Sequence, residues 1–154
     1  MLNSLDRVFP FERFDSYFTI GYATIDTENG QLAYSNAGHP PLLLQRTDGS
    51  LEILDYHGPV IGIGSGELFS QKEMNLAPGD KIVLYTDGIL DQTNAEGERY
   101  GKERLYNTLQ EHRNEPLQKT MQLIKDSLVK FANSEGSDDD ISLLMIEYTG
   151  DESR

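Results

Sequence analysis

The sequence contains no cysteine. That excludes a disulfide framework, a thiolate-bound zinc and a cysteine nucleophile. Basic residues are scarce: 13 Lys and Arg stand against 26 Asp and Glu, for a net charge of −13. A nucleic-acid binder needs a Lys/Arg surface to displace counterions, so nucleic acid is not an expected partner. No apolar run approaches the ~20 residues of a transmembrane helix, and no membrane association is expected. The N-terminal stretch MLNSLDRVFPFERF has no basic flank leading into an apolar segment, so it does not read as a secretory signal. The expected compartment is the cytoplasm, with which the lack of disulfides is compatible. There is no internal repeat, low-complexity tract or interdomain linker. The 154 residues fit one domain of ordinary size.

Hydrophobic residues make up 37% of the chain and charged residues 25%, as in a globular protein with a real core. The acidic excess has an ordinary reading as a solvated surface. It also has a chemical one: acidic clusters hold divalent cations, which then face a phosphate.

The first half reads as β structure. Residues 17–25, YFTIGYATI, are β-branched and aromatic on both alternating faces, and Asn29-Gly30 after them signals a tight hairpin turn. The return strand is QLAYSNAG (31–38), followed by Pro40-Pro41, LLLQR (42–46), a turn at Asp48-Gly49 and LEIL (51–54). Short strands joined by tight turns suggest an antiparallel meander. HGPVIGIGSG (57–66) is a glycine-rich loop lying close to other backbone. A phosphate-binding loop is the alternative, although the segment lacks a Lys-Ser/Thr ending and a helix behind it. A strand is expected within 69–76, and Pro78-Gly79-Asp80 turns the chain into KIVLYTDG (81–88).

The second half is more helical. Leu105 and Leu109 lie at helical spacing within 101–112. A longer helix starts near Asn114 or Glu115, with Pro116 in its first turn. Its Leu117, Met121, Ile124, Leu128 and Phe131 form one apolar stripe, which is core packing rather than a cofactor site. The polar run NSEGSDDD (133–140) ends that helix, and ISLLMIEY (141–148) is a last, largely buried strand.

Two acidic positions stand out. Asp87 lies where the buried strand Ile82-Val83-Leu84-Tyr85 empties into a loop, just before Gly88. Asp138, Asp139 and Asp140 precede the final strand. Adjacent carboxylates repel unless a cation or proton intervenes. A return of the chain through the two helices would lay the strands side by side and bring both acidic positions to one sheet edge. Such an all-oxygen site suits Mg²⁺ or Mn²⁺. Asp-Gly is equally an ordinary turn, and an acidic triplet is commonly a solvated loop.

The motifs NAGHPP (36–41), GPVIGIG (58–64), LAPGDKIVLYTDGILDQTNAEGERYGKERL (76–105) and DDDISLLMI (138–146), in this order, closely resemble the SpoIIE-like branch of the PPM protein serine/threonine phosphatases. The resemblance runs from about Leu2 to Tyr148. It implies an α+β fold in which two antiparallel β-sheets pack face to face between helices, four layers in the complete domain. It also implies two divalent metals, Mn²⁺ or Mg²⁺. No side chain would be the nucleophile, since a metal-activated water attacks phosphorus. By resemblance Asp87 and Asp139 are metal ligands. Asp140 takes a supporting role, Gly88 permits a tight backbone turn after the ligand, and Asp138 falls outside the motif. His39 matches the family's AGH histidine and is expected to have a supporting or substrate-facing role or to be a structural turn residue. His57 and His112 lie in no recognised motif and are expected at the surface. The implied partner is a phosphorylated regulatory protein, such as an anti-sigma-factor antagonist.

The family's domain begins with a glycine-rich segment carrying an aspartate ligand, followed by a second aspartate and a GHG motif. Asp6, Asp15 and Asp26 lack that context, so residues 1–154 are expected to form a single, N-terminally incomplete domain. Two carboxylates alone bind hard cations weakly. The isolated chain should therefore hold metal loosely and turn over slowly or not at all. Exposed sheet edges should invite homodimerisation. The competing reading is a non-catalytic, phosphatase-like binding or self-association module.

Overall fold

The computed structural model describes residues 1–56, 58–64, 66, 68–132 and 140–150. Two short helices open the chain, α1 (Leu2–Val8) and α2 (Phe11–Phe14). No element was expected over these residues. Four residues suffice for α2, which ends where Asp15 adopts a left-handed conformation and its N–H bonds the Phe11 carbonyl. Strand β1 is shorter than expected, Ile20–Ile25, and pairs antiparallel with β2 (Gln31–Ala37), while Phe18 bridges separately to Ile61. The hairpin between them is organised by Asp26, whose carboxylate accepts from the Glu28 amide (2.9 Å) and the Asn29 side-chain amide (2.7 Å). Gly30 supplies the positive φ of +74°.

Beyond this hairpin the chain does not continue as the expected meander. At Pro40-Pro41 it leaves the first sheet. Strands β3 (Leu42–Gln45) and β4 (Leu51–Leu54) form a hairpin in a second sheet, and β5 (Lys72–Asn75) returns to pair with β2. Strand β6 (Lys81–Tyr85) then joins β3, and β7 (Leu143–Glu147) joins β6. The orders are β1-β2-β5 and β4-β3-β6-β7, and the pairings that build them are antiparallel. Burial explains the switch. A meander in one sheet would expose one face of Leu42-Leu43-Leu44, whereas all three are buried here.

Alternation along the strands divides the core. Leu32 and Tyr34 of the first sheet meet Leu42, Leu44 and Ile82 of the second, so the sheets pack face to face. The opposite face of the second sheet presents Leu43, Val83, Tyr85 and Met145 to α4 (Gly101–Glu111) and α5 (Leu117–Ala132). The expected stripe is there: Ile124 and Leu128 are buried, and Leu117, Met121 and Phe131 pack against the same cluster. Leu2 of α1 packs with Ala37 and Ile61 near Ile20 and Tyr22, covering one end of the first sheet's outer face. The fold is thus two antiparallel sheets flanked by helices.

Two buried polar nodes hold the connections. Asp80, of the Pro78-Gly79-Asp80 turn, is fully buried and accepts from Arg46 (2.9 Å) and from the amides of Thr47 (3.0 Å) and Ala77 (2.9 Å). Its charge is matched and its lone pairs are used, as a buried carboxylate requires. Lys81 donates to the carbonyls of Arg113 and Glu115, both at 2.8 Å, and so ties the α4–α5 connection to the start of β6.

Strand β7 departs from expectation. It is the outer strand of its sheet among the described residues, and Leu144 is 55% exposed. Ile146, on the same face, packs against the inter-sheet cluster, so the strand is covered at one end and open at Leu144.

Candidate metal centre

The end of β6 and the start of β7 build the site. Tyr85 pairs with Leu143, so the chain leaving β6 and the chain entering β7 run together beyond the last rung of the ladder. Thr86 continues the pairing: its amide donates to the Ser142 carbonyl at 3.1 Å. Its hydroxyl donates to the Asp140 carbonyl at 3.1 Å and accepts from the Ser142 amide at 2.9 Å. Asp87 comes next, at the N-terminus of the one-turn helix α3 (Gly88–Asp91), and its carbonyl accepts from the Leu90 and Asp91 amides. The Asp87 side chain is exposed and makes no hydrogen bond or ion pair to another described residue.

Gly88 also answers to a close contact. Its φ is not positive, so no left-handed turn demands glycine there. A Cβ at this position would stand 2.5 Å from the Asp140 carbonyl oxygen and 3.1 Å from its carbon. Gly88 therefore lets the two strand ends touch, backbone against backbone.

His39 reaches the same region from the first sheet. Asn36, buried on β2, clamps the turn: its amide donates to the His39 carbonyl and its oxygen accepts from the His39 N–H, both at 2.8 Å. Gly38 takes φ +65° and donates its N–H to the Gly58 carbonyl. Gly58 in turn lies so close to Asn36 that an added Cβ would sit 2.3 Å from its carbonyl oxygen. The glycine-rich loop is accordingly a seat for the AGH turn, close to other backbone as its composition suggested. Burial pushes the His39 imidazole below its ordinary pKa, and the Asp87 carboxylate pulls the other way. That interaction places His39 and Asp87 within electrostatic reach of each other.

Asp87, Gly88 and Asp140 are brought together, with His39 nearby. Asp139, Asp138 and His57 lie outside the described residues. His112 is the C-cap residue of α4 and is partly exposed. Sequence reasoning missed Thr86 and Asn36. Both belong to the quoted motifs, but only the tertiary pairing shows what their side chains hold. Among the described residues no three acidic or histidine side chains cluster as a complete cation cage. The donors present still fit a hard divalent cation in kind: Asp87 offers an exposed carboxylate oxygen set beside the Asp140 segment.

Residues 1–149 match the family model described as Stage II sporulation protein E (SpoIIE). The chain belongs to the SpoIIE family. It is 31% identical over 143 residues to the phosphoserine phosphatase RsbU of Bacillus subtilis, covering 90% of this chain and 42% of that protein. Its fold matches the SiaA-PP2C domain of Pseudomonas aeruginosa with a TM-score of 0.81 at 25% identity, over 95% of this chain and 58% of that one. It also matches the phosphatase domain of SpoIIE from Bacillus subtilis, presoaked with Mn, with a TM-score of 0.69 at 14% identity, over 94% and 62% of the two chains. This SpoIIE-family chain has the fold of PP2C-type phosphatase domains, which are hydrolases. It spans between 20% and 42% of the curated relatives it matches.

Proposed function

We propose that this chain is the larger, C-terminal part of a metal-dependent protein serine/threonine phosphatase domain acting on a phosphorylated regulatory protein. The observation that carries the reading is the contact of the two strand ends. The Thr86 hydroxyl bonds the Asp140 carbonyl, and Gly88 admits the same carbonyl, so Asp87, between them in the chain, lies next to the backbone of Asp140. Asp87 and Asp139 would hold the metal, Mn²⁺ or Mg²⁺. When bound, a metal of this kind lowers the pKa of a coordinated water and offsets charge on a phosphoryl group. The chain's own part is orientation. Helix α3 fixes the backbone of Asp87, and Thr86 fixes that of Asp140. An anti-sigma-factor antagonist is the partner class the family resemblance favours, in the cytoplasm.

The test is manganese-dependent hydrolysis of a phosphoserine peptide. It is run on this chain and on a chain extended at its N-terminus by the family's glycine-rich, aspartate-bearing segment. The reading expects metal-dependent turnover by the extended chain and little by the short one. A folded extended chain that never turns over would refute it.

The open side of β7 favours a second reading, a self-associating module. With Leu144 exposed at a sheet edge, two copies would pair edge to edge. Sedimentation of the native chain against Leu144→Lys discriminates: association lost in the variant supports the module, and a monomer at all concentrations removes it.

A further inference from the structure

We infer that His39 contacts the substrate: its imidazole Nε2–H donates a hydrogen bond to a phosphoryl oxygen of the phosphomonoester held beside Asp87. This role rests on the phosphatase reading and adds a residue to it.

The turn that carries His39 does not need an imidazole. Asn36 closes it through the His39 backbone alone, and Gly38 docks it on Gly58 through a main-chain bond. A residue wanted only for the turn would serve with any side chain. The ring is instead provided for separately. Thr19 Oγ1 lies 3.2 Å from Nδ1. Gly21, on β1 opposite Asn36, leaves the space the ring occupies, since a Cβ there would stand 3.2 Å from His39 Cδ2. Thr19 and Gly21 thus fix an imidazole that is only partly buried and lies within electrostatic reach of Asp87.

The tautomer sets the chemistry. When the Thr19 hydroxyl is the donor in its contact with Nδ1, the ring proton resides on Nε2, and that end of the ring can donate. A phosphomonoester brings acceptor oxygens to a chain that carries 26 acidic residues, so a donor at this point is what a bound phosphate requires.

Two measurements test this. Imidazole ¹⁵N spectra of the chain should show the proton on Nε2, and Thr19→Val should erase that preference. A proton on Nδ1 in the unmutated chain overturns the inference. In the form that turns over, His39→Ala should raise both KM for a phosphoserine peptide and the inhibition constant of inorganic phosphate about ten- to a hundredfold. His39→Gln, which keeps an N–H donor, should recover much of that loss. Asp87→Asn is the control. If it abolishes turnover while His39→Ala leaves phosphate inhibition unchanged, His39 is structural and the inference fails alone. If Asp87→Asn retains turnover, the phosphatase reading falls and takes the inference with it.

Discussion

The hydroxyl of Thr86 donates to the carbonyl oxygen of Asp140 at 3.1 Å, joining the residue before one acidic position to the backbone of another 54 residues on. The same hydroxyl accepts from the Ser142 amide, so one oxygen closes the gap between two strand ends. Thr86→Val keeps the shape and removes both bonds. The expected cost is about 1–3 kcal/mol, read from urea unfolding. It should be accompanied by weaker Mn²⁺ binding in a calorimetric titration.

Gly88→Ala tests the contact from the other side. The new methyl would meet the Asp140 carbonyl at 2.5 Å, a backbone atom that cannot swing away. The strand ends should separate, with a loss of about 1–3 kcal/mol. Unchanged stability together with unchanged metal affinity would mean that the two ends need not touch.

Asp87→Asn should behave in the opposite way. Its side chain is exposed and bonds no described residue, so thermal stability should hold within about 0.5 kcal/mol. Metal affinity should drop sharply, since an amide oxygen is a poorer ligand for a hard cation than a carboxylate. A large fall in the melting temperature would point to a structural role instead.

Asp80→Ala separates structural from functional acid. Removing this buried carboxylate leaves Arg46 with Glu52 as its remaining carboxylate partner and strips the Thr47 and Ala77 amides of their acceptor. A loss of about 3 kcal/mol or more is expected from chemical denaturation, far beyond that of Asp87→Asn.

Alkaline stability should report on Tyr85. Burial, and next the neighbouring Tyr106 hydroxyl, push its phenol well above the ordinary value of 10.0. Above pH 10 the unfolded chain sheds this proton while the folded one retains it. Stability is therefore intact below about pH 10 and declines as the pH climbs past it. Tyr85→Phe should flatten that decline in a series of melts between pH 9 and 11.

Much of the fold could be read along the chain because its signals are local. The stripe from Leu117 to Phe131 has helical period, LEIL is bounded by turn residues, and Pro78-Gly79-Asp80 breaks the chain before an apolar run. The motif order brought Asp87, Gly88, Asp140 and His39 into view for the same reason, since each lies in a short, distinctive string. What escaped depended on partners far away in sequence. Leu42-Leu43-Leu44 looks like any buried strand. Its membership of a second sheet depends on which apolar faces it can cover, namely Leu32 and Tyr34 on one side and the helices on the other. The helices before β1 are seven and four residues long and have no side-chain cap, so they leave little periodic signal.

The sequence by itself determined the strands and helices with a strong local pattern, the excess of acid without cysteine chemistry, and the motifs that mark the family. Tertiary structure alone decided that the chain changes sheets after Pro40-Pro41, and that Thr86 and Asn36 are the clamps. It also decided that Gly88 lies against the Asp140 carbonyl, where a side chain would not fit. The physical reason is one of range. Propensity and period act over a few residues, whereas a carbonyl meeting a glycine 52 positions earlier exists only once β6 and β7 have paired.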